Sequence, residues 1–199
     1  MRKCGSVEMQ HFPVFSLSHF HIFSFPYSHI PTLHSAMIVL GIDTSLRSTG
    51  YGVIAVEGSR MRCLTCGNIP NKATAPLTAC LKPIHAKVVE LIAEFKPDVM
   101  SVESVIYGKN AGTMLVLGEA RGAMLTAAAD AGLPVYEYEP RRMKKALCGN
   151  GLAEKEQIQR MVRTLLNLAE LPQNDAADAL GLAICHAHAN SLISTSSPI

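Results

Sequence analysis

Residues 37–43, MIVLGID, run apolar and rich in β-branched side chains without a break, then stop at turn residues. A run of that length reads as a buried strand, which other layers have to cover. YGVIAVE (51–57) alternates after Gly50, and RMRCLTCGNI (60–69) follows across a short Gly-Ser link, so the chain opens with a three-strand meander. Leu77 to Phe95 has apolar residues at helical spacing, with Pro83 tolerated near its start or marking a kink, and Pro97 ends it. DVMSVES (98–104) is a further buried strand, and Asn110 to Ala131 is an Ala- and Gly-rich helix stopped by Gly132. LPVYEYE (133–139) is a fifth strand, followed by two final helices, Glu154 to Leu168 and Asp175 to His188. Antiparallel strands first and helix–strand alternation afterwards predict an α/β domain with a five-stranded mixed sheet flanked by helices, over residues 37–190.

Residues 1–36 have a different make-up. They hold five of the eight His (His11, His19, His21, His29, His34), five of the six Phe, and Glu8 as their only acid. Pro13, Pro26 and Pro31 interrupt any helix, and Ser, His and Pro break up the apolar core of about 7–15 residues that a signal peptide needs. Arg2 alone is too little Arg for a transit peptide, and a His-rich metal-binding tail stays open, though with irregular His spacing. A disordered extension is expected, with Met37 fitting a natural start, and residues 191–199 are expected to form a flexible tail.

The remaining 37–190 region is long enough for one core. A formal net charge of +2 excludes a histone-like basic protein but leaves room for a local DNA-binding patch. No run of about eighteen apolar residues is present, so no membrane span is expected. The six cysteines (Cys4, Cys63, Cys66, Cys80, Cys148, Cys185) are scattered and read as reduced thiols of a cytosolic protein. Cys63 and Cys66 form a lone CxxC. It has no second pair to complete a zinc site and no helix start to make it redox-active, so it reads as two strand residues on neighbouring faces.

The informative residues are acids in unexpected places. Asp43 closes the first apolar strand and Glu103 closes another, where a carboxylate sits partly desolvated at the sheet edge. Asp175 and Asp178 lie in NDAADAL, on one face of a helix start whose dipole favours negative charge, with small neighbours (Ala176, Ala177, Ala179) that let another element approach. Singly, Asp175 could be an N-cap, Asp178 a solvated helix residue and Asp43 an Asx turn. Glu103 is hardest to explain structurally. Together, gathered carboxylates repel unless hard cations neutralise them. Two Mg²⁺ ions about 4 Å apart can stabilise the attacking and leaving oxygens of an in-line phosphoryl displacement. If the four converge, the chemistry suggested is metal-assisted phosphodiester cleavage.

GIDTSLRSTGYGVI (41–54), SVESVIYGKN (101–110), LGEARG (117–122), GLAEKEQIQRMVRTLL (151–166) and NDAADALGLAICHAH (174–188) together resemble the RuvC family of bacterial Holliday-junction resolvases. The similarity runs in order from Met37 to about His188. It implies a ribonuclease-H-like fold, a homodimer, and two Mg²⁺ per subunit, for which Mn²⁺ can substitute. The reaction it implies is hydrolytic nicking of two opposed strands of a four-way junction, leaving 5′-phosphate ends, in bacterial cytoplasm and in partnership with the RuvA–RuvB motor. The family carboxylates fall on Asp43, Glu103, Asp175 and Asp178. Lys144 and Lys155 match family DNA-binding lysines, and Lys155 would sit near the scissile phosphate. Arg47, Arg141, Arg142 and Lys145 join them as expected DNA contacts, although the 141–145 cluster taken alone is an ordinary solvated charge run.

Two departures from the family pattern stand out. Thr44-Ser45-Leu46 replaces the usual Pro-Gly-Ser after the first Asp, which puts the conformation of that turn in doubt. Ile106 occupies the usual place of an aromatic wedge, so Tyr107, or Ile106 with Tyr107, is expected to stack at the junction. Gly118 and Gly122 form a small-residue stripe suited either to packing within the monomer or to a two-fold dimer. His85, His186 and His188 read as core or surface residues and not as ligands. Two other classes stay open: a junction-binding protein that cuts weakly or not at all, and a non-catalytic scaffold of the TsaB type, whose first strand and turn are similar.

Overall fold

The apolar run at 37–43 becomes the middle strand of the sheet, β1 (Met37–Asp43), with Val39, Leu40 and Ile42 fully buried. A computed structural model describes residues 36–105, 110–191 and 197–199. Residues 1–35 of the expected 1–36 extension, the wedge positions Ile106 and Tyr107, and residues 192–196 of the tail lie outside the described residues.

β2 (Ser48–Glu57) runs antiparallel to β1, with Met37 opposite Val56 and Asp43 opposite Gly50. The chain reverses into β3 (Arg60–Pro70) through Gly58, whose φ of 61° lies in the left-handed region where a side chain would be strained. α1 (Leu77–Phe95) carries the chain to β4 (Val99–Glu103), parallel to β1 with Ile42 beside Val102. α2 (Ala111–Asp130) carries it on to β5 (Val135–Tyr138), parallel to β4 with Glu103 beside Tyr138. The strand order is β3-β2-β1-β4-β5. The result is the expected five-stranded mixed sheet: hairpin-linked strands pair antiparallel, and strands linked through helices pair parallel.

Helices cover both faces. α1 and α2 bury Ile84, Val88, Leu91 and Met124 against Leu40, Ile42, Val53 and Met100. Across the sheet lie α3 (Pro140–Cys148), α4 (Lys155–Leu165) and α5 (Asn174–Ser191), packed on Val39, Ile54 and Tyr138. Pro83 sits inside an unbroken α1, removing only one helical donor.

The sequence reading of two closing helices needs a correction: there are three. α3 forms from the basic stretch after β5. Only Met143 and Leu147, one turn apart, supply its buried side. Pro140 at its first turn and Gly149, with φ 70°, mark its ends.

β3 carries a second correction. A register shift opposite Val53/Ile54 pairs Ile54 with Cys63 and Val53 with Thr65, leaving Leu64 as the extra residue of a bulge. In an even strand, residues three apart point to opposite faces. The bulge turns Cys63 and Cys66 to the same side, where both pack against the α3–α5 layer.

α5 lies on the sheet backbone to backbone. A Cβ on Gly41 would stand 2.0 Å from the Ala179 carbonyl oxygen, and one on Gly50 would stand 2.0 Å from that of Asp175. Ala176, Ala177 and Ala179 are buried, so the small residues around the two aspartates do permit close approach. Ser101 Oγ donates to the Leu182 carbonyl at 2.8 Å and pins the helix further along.

Candidate active site

The architecture decides where the four acids go. Parallel pairing brings the last residues of β1 and β4, Asp43 and Glu103, out at the same end of the sheet. At that end α5 begins, with Asp175 in its first turn resting on Gly50, the residue paired with Asp43.

The electrostatics record how close the acids are. Burial pushes the Asp43 carboxyl up to about 7, helped by the negative charges of Glu103, Asp178 and Asp175 and opposed by Lys155. Burial also raises Glu103, as does the charge of Asp178, against the pull of Lys144 and Arg121. Asp178 is raised by burial and by Asp175, against Lys155 and Lys144. Like charges crowded at a desolvated edge favour the protonated form. The acids are gathered without being closed: among the described residues, no three acidic, His or Cys side chains meet around one point.

Asp175 is fixed by groups on the sheet. Asn68 Nδ2 donates to Asp175 Oδ2 at 3.0 Å and to Ser48 Oγ at 3.0 Å, and Ser48 Oγ donates to the same carboxylate oxygen. One oxygen of Asp175 is thereby committed to β2 and β3, and the carboxylate does not act as a mere helix cap. Glu103 is supported from behind. Arg121, 8% exposed on α2, donates to the Glu103 carbonyl at 2.7 Å and pairs with Glu137 on β5.

Ser48, Asn68 and Arg121 were not among the residues singled out from sequence. Arg121 left a signal, as one of two charges, with Glu119, within the otherwise apolar LVLGEARGAML stretch. Asn68 is one polar residue in a strand, and only the fold shows that it faces α5.

The turn after Asp43 is well tied. Thr49 Oγ1 donates to the Ser45 carbonyl, Asn71 Nδ2 donates to that of Leu46 at 2.8 Å, and Leu46 is buried. None of Thr44, Ser45 and Leu46 has a positive φ, so the loss of the usual Pro and Gly imposes no backbone strain.

The basic residues divide by direction. Lys155, at the start of α4, and Lys144, on α3, both act on the acids. Arg141 and Lys145 are exposed on the outer side of α3. Arg142 is exposed as well, with its guanidinium 5.1 Å from the Tyr138 ring centroid. Arg47 commits Nη1 to the carbonyls of Lys72, at 2.7 Å, and Ala75, at 3.3 Å, bracing the 72–75 loop. His186 is a core residue, bonded through Nδ1 to the Tyr138 hydroxyl at 2.8 Å.

Comparison with known proteins places this arrangement. A family model described as crossover junction endodeoxyribonuclease RuvC matches residues 39–186. RuvC of Citrifermentans bemidjiense is 47% identical over 152 residues, covering 76% of this chain and 93% of that one. RuvC of Aliivibrio salmonicida is 50% identical over 153 residues, covering 77% and 88%. The Thermus thermophilus RuvC structure superposes with a TM-score of 0.74 at 37% identity, over 82% of this chain and all of that one. A second structure of the Thermus protein, in complex with Holliday junction substrate, also gives 0.74, at 35% identity over the same shares of the two chains. With its sheet order, its four strand-end and helix-start acids and these matches, the chain belongs to the RuvC family of crossover junction endodeoxyribonucleases.

Proposed function

We propose that the protein resolves Holliday junctions by metal-dependent hydrolysis of two symmetrically placed phosphodiester bonds, leaving 5′-phosphate ends. The observation that carries this reading is the gathering of Asp43, Glu103, Asp175 and Asp178 at one end of the sheet with Lys144 and Lys155 beside them. The Thermus relative solved with a Holliday junction substrate supports a four-way junction as the DNA.

The donor set fits a hard divalent cation. It consists of carboxylate oxygens, and the burial and mutual repulsion that lift Asp43 to about 7 are what positive charge would offset. Asp43, Glu103, Asp178 and the uncommitted oxygen of Asp175 would hold Mg²⁺, two ions per subunit with Mn²⁺ able to substitute. Bound there, the metal supplies an activated water and offsets charge on the attacking and leaving oxygens. The chain's own residues do the rest. Ser48 and Asn68 orient Asp175, Arg121 braces the end of β4, and the Lys155 ammonium stands ready for the scissile phosphate. Lys144, Lys145 and Arg141 would follow neighbouring phosphates, giving binding that weakens steeply with salt. Tyr107, or Ile106 with Tyr107, would be the wedge at the junction centre.

A homodimer would give each opposed strand its own site. α2 supports one: Leu115 is 66% exposed, and Gly118 and Gly122 face open space among the described residues. The RuvA–RuvB motor is the expected partner and the cytoplasm the expected compartment. No helix among the described residues is long and apolar enough to cross a membrane.

The test compares wild type with Asp175→Asn on a synthetic four-way junction and on linear duplex, with and without Mg²⁺. Wild type should nick the junction symmetrically, only with Mg²⁺, while Asp175→Asn binds without cutting. Equal cutting of linear duplex, or ATP binding without cleavage, would point to a different class.

A further inference from the structure

Leu152 is the most exposed large apolar side chain among the described residues, at 74%, ahead of Leu115 on the α2 face offered to a dimer. It stands on the loop that joins α3 to α4, and that loop is tied down. The Leu152 N–H donates to Asn150 Oδ1 at 3.0 Å, and the Ala153 N–H donates to the Asn150 carbonyl at 3.2 Å. Ala153 is buried, and Gly151 stands against the first turn of α3, where a Cβ on it would lie 3.2 Å from the Arg141 carbonyl oxygen. Just beyond, Glu154 and Gln157 cap α4 reciprocally. A loop fixed at these points holds its leucine in water unless a partner covers it.

The neighbours of Leu152 define that partner. Arg141, against Gly151, is exposed. Lys155, three residues on and so within about 10 Å along the chain, acts on Asp43 and Asp178 at the cutting rim. Neither cation is ion-paired among the described residues. An apolar protein surface laid on Leu152 would leave both charges without partners. On a DNA strand, by contrast, the apolar surface between one phosphate and the next is the deoxyribose, and phosphates would meet the two cations.

We propose that Leu152 packs on the deoxyribose face of the junction strand beside the scissile phosphate, with Arg141 and Lys155 on the flanking phosphates. The contact is apolar and carries no base information. The identity of the strand rests on the nuclease reading. Covering a leucine of this exposure strengthens binding by about tenfold. Because the side chain is uncharged, it displaces no counterions and leaves the salt dependence of binding untouched.

The experiment measures junction affinity for wild type, Leu152→Ser, Leu152→Met and Lys144→Gln between about 50 and 200 mM salt. Leu152→Ser should bind about tenfold more weakly at every salt concentration, with the wild-type slope and on junctions of any sequence. Leu152→Met, which keeps the apolar contact, should bind within about twofold of wild type. Lys144→Gln should instead lower the slope by about one. Hydroxyl radicals abstract deoxyribose hydrogens, so footprinting without Mg²⁺ reads the sugar contact directly. Wild type should shield the sugars beside the scissile phosphate, and Leu152→Ser should leave them open. Thermal unfolding should not separate the Leu152 variants from wild type, since the residue lies in water. Wild-type affinity or an unchanged footprint in Leu152→Ser would overturn the assignment. So would a loss confined to junctions with one particular base at the cut, which would mean a base contact. A wild-type chain that binds no junction would sink the nuclease reading as well, whereas intact wild-type binding with an indifferent Leu152→Ser sinks this inference alone.

Discussion

Replacing Gly50 with alanine places a methyl carbon 2.0 Å from the carbonyl oxygen of Asp175, 2.3 Å from its carbonyl carbon and 3.0 Å from the Ala176 nitrogen. All three are main-chain atoms, so no rotamer change can relieve the contact. Carbon–oxygen approaches under 3.0 Å are essentially not seen, so the first turn of α5 must retreat by at least about 1 Å. Overpacking of this kind costs about 1–3 kcal/mol, which for a domain of this size lowers Tm by about 3–10 °C. The effect on catalysis should be larger, because α5 carries both Asp175 and Asp178. A displacement of about 1 Å can cost about 10²-fold in rate. The assay is junction cleavage under single-turnover conditions, beside thermal unfolding and junction binding. Asp175→Asn serves as the companion that removes charge while leaving the helix seated. Gly50→Ala should stay folded at room temperature, bind junctions, and cut at least about tenfold more slowly. Wild-type cleavage by Gly50→Ala, with an unchanged melting temperature, would refute the claim that backbone contact sets the position of the acids.

Two further outcomes follow from the same site. Asp43 holds its proton up to about 7 in the folded chain, against 3.8 for the free side chain. The folded state therefore binds more protons, and stability without metal should fall as pH rises from about 4 to about 7, by up to about 4 kcal/mol. Melting in EDTA should show that fall, Asp43→Asn should reduce it, and Mg²⁺ should raise Tm more at pH 8 than at pH 5. A metal-free Tm that climbs from pH 5 to pH 8 would contradict it. Arg121→Ala should destabilise the fold by about 2–3 kcal/mol in chemical denaturation, since it strips a buried guanidinium from Glu137 and the Glu103 carbonyl. A loss under about 0.5 kcal/mol would mean that Arg121 does not brace β4.

Much of this was legible in the chain because its cues are local. MIVLGID and MSVES each close an apolar run with an acid, and period and punctuation alone place those acids at strand ends. NDAADAL combines helical spacing with small residues, which signals close approach. What escaped depends on partners distant in sequence. α3 offers two apolar positions among basic residues, too weak a pattern to stand without α4 and α5 against it. The β3 bulge is a property of pairing with β2, so from spacing alone Cys63 and Cys66 read as strand residues on neighbouring faces and not as a pair on one side. Asn68 meets Asp175 across 107 positions, and nothing in either stretch announces the other.

The sheet is polarised from end to end. Asp43 and Gly50 mark one rim, while the Gly58-Ser59 reversal marks the other, about 26 Å away at the rise of a strand. That remote tip is exposed, and among the described residues a Cβ added at Gly58 would meet no atom within 4 Å. A dye, an affinity handle or a surface tether grafted at Ser59 would therefore leave the cutting rim unobstructed, making single-molecule observation of junction processing practical with this chain.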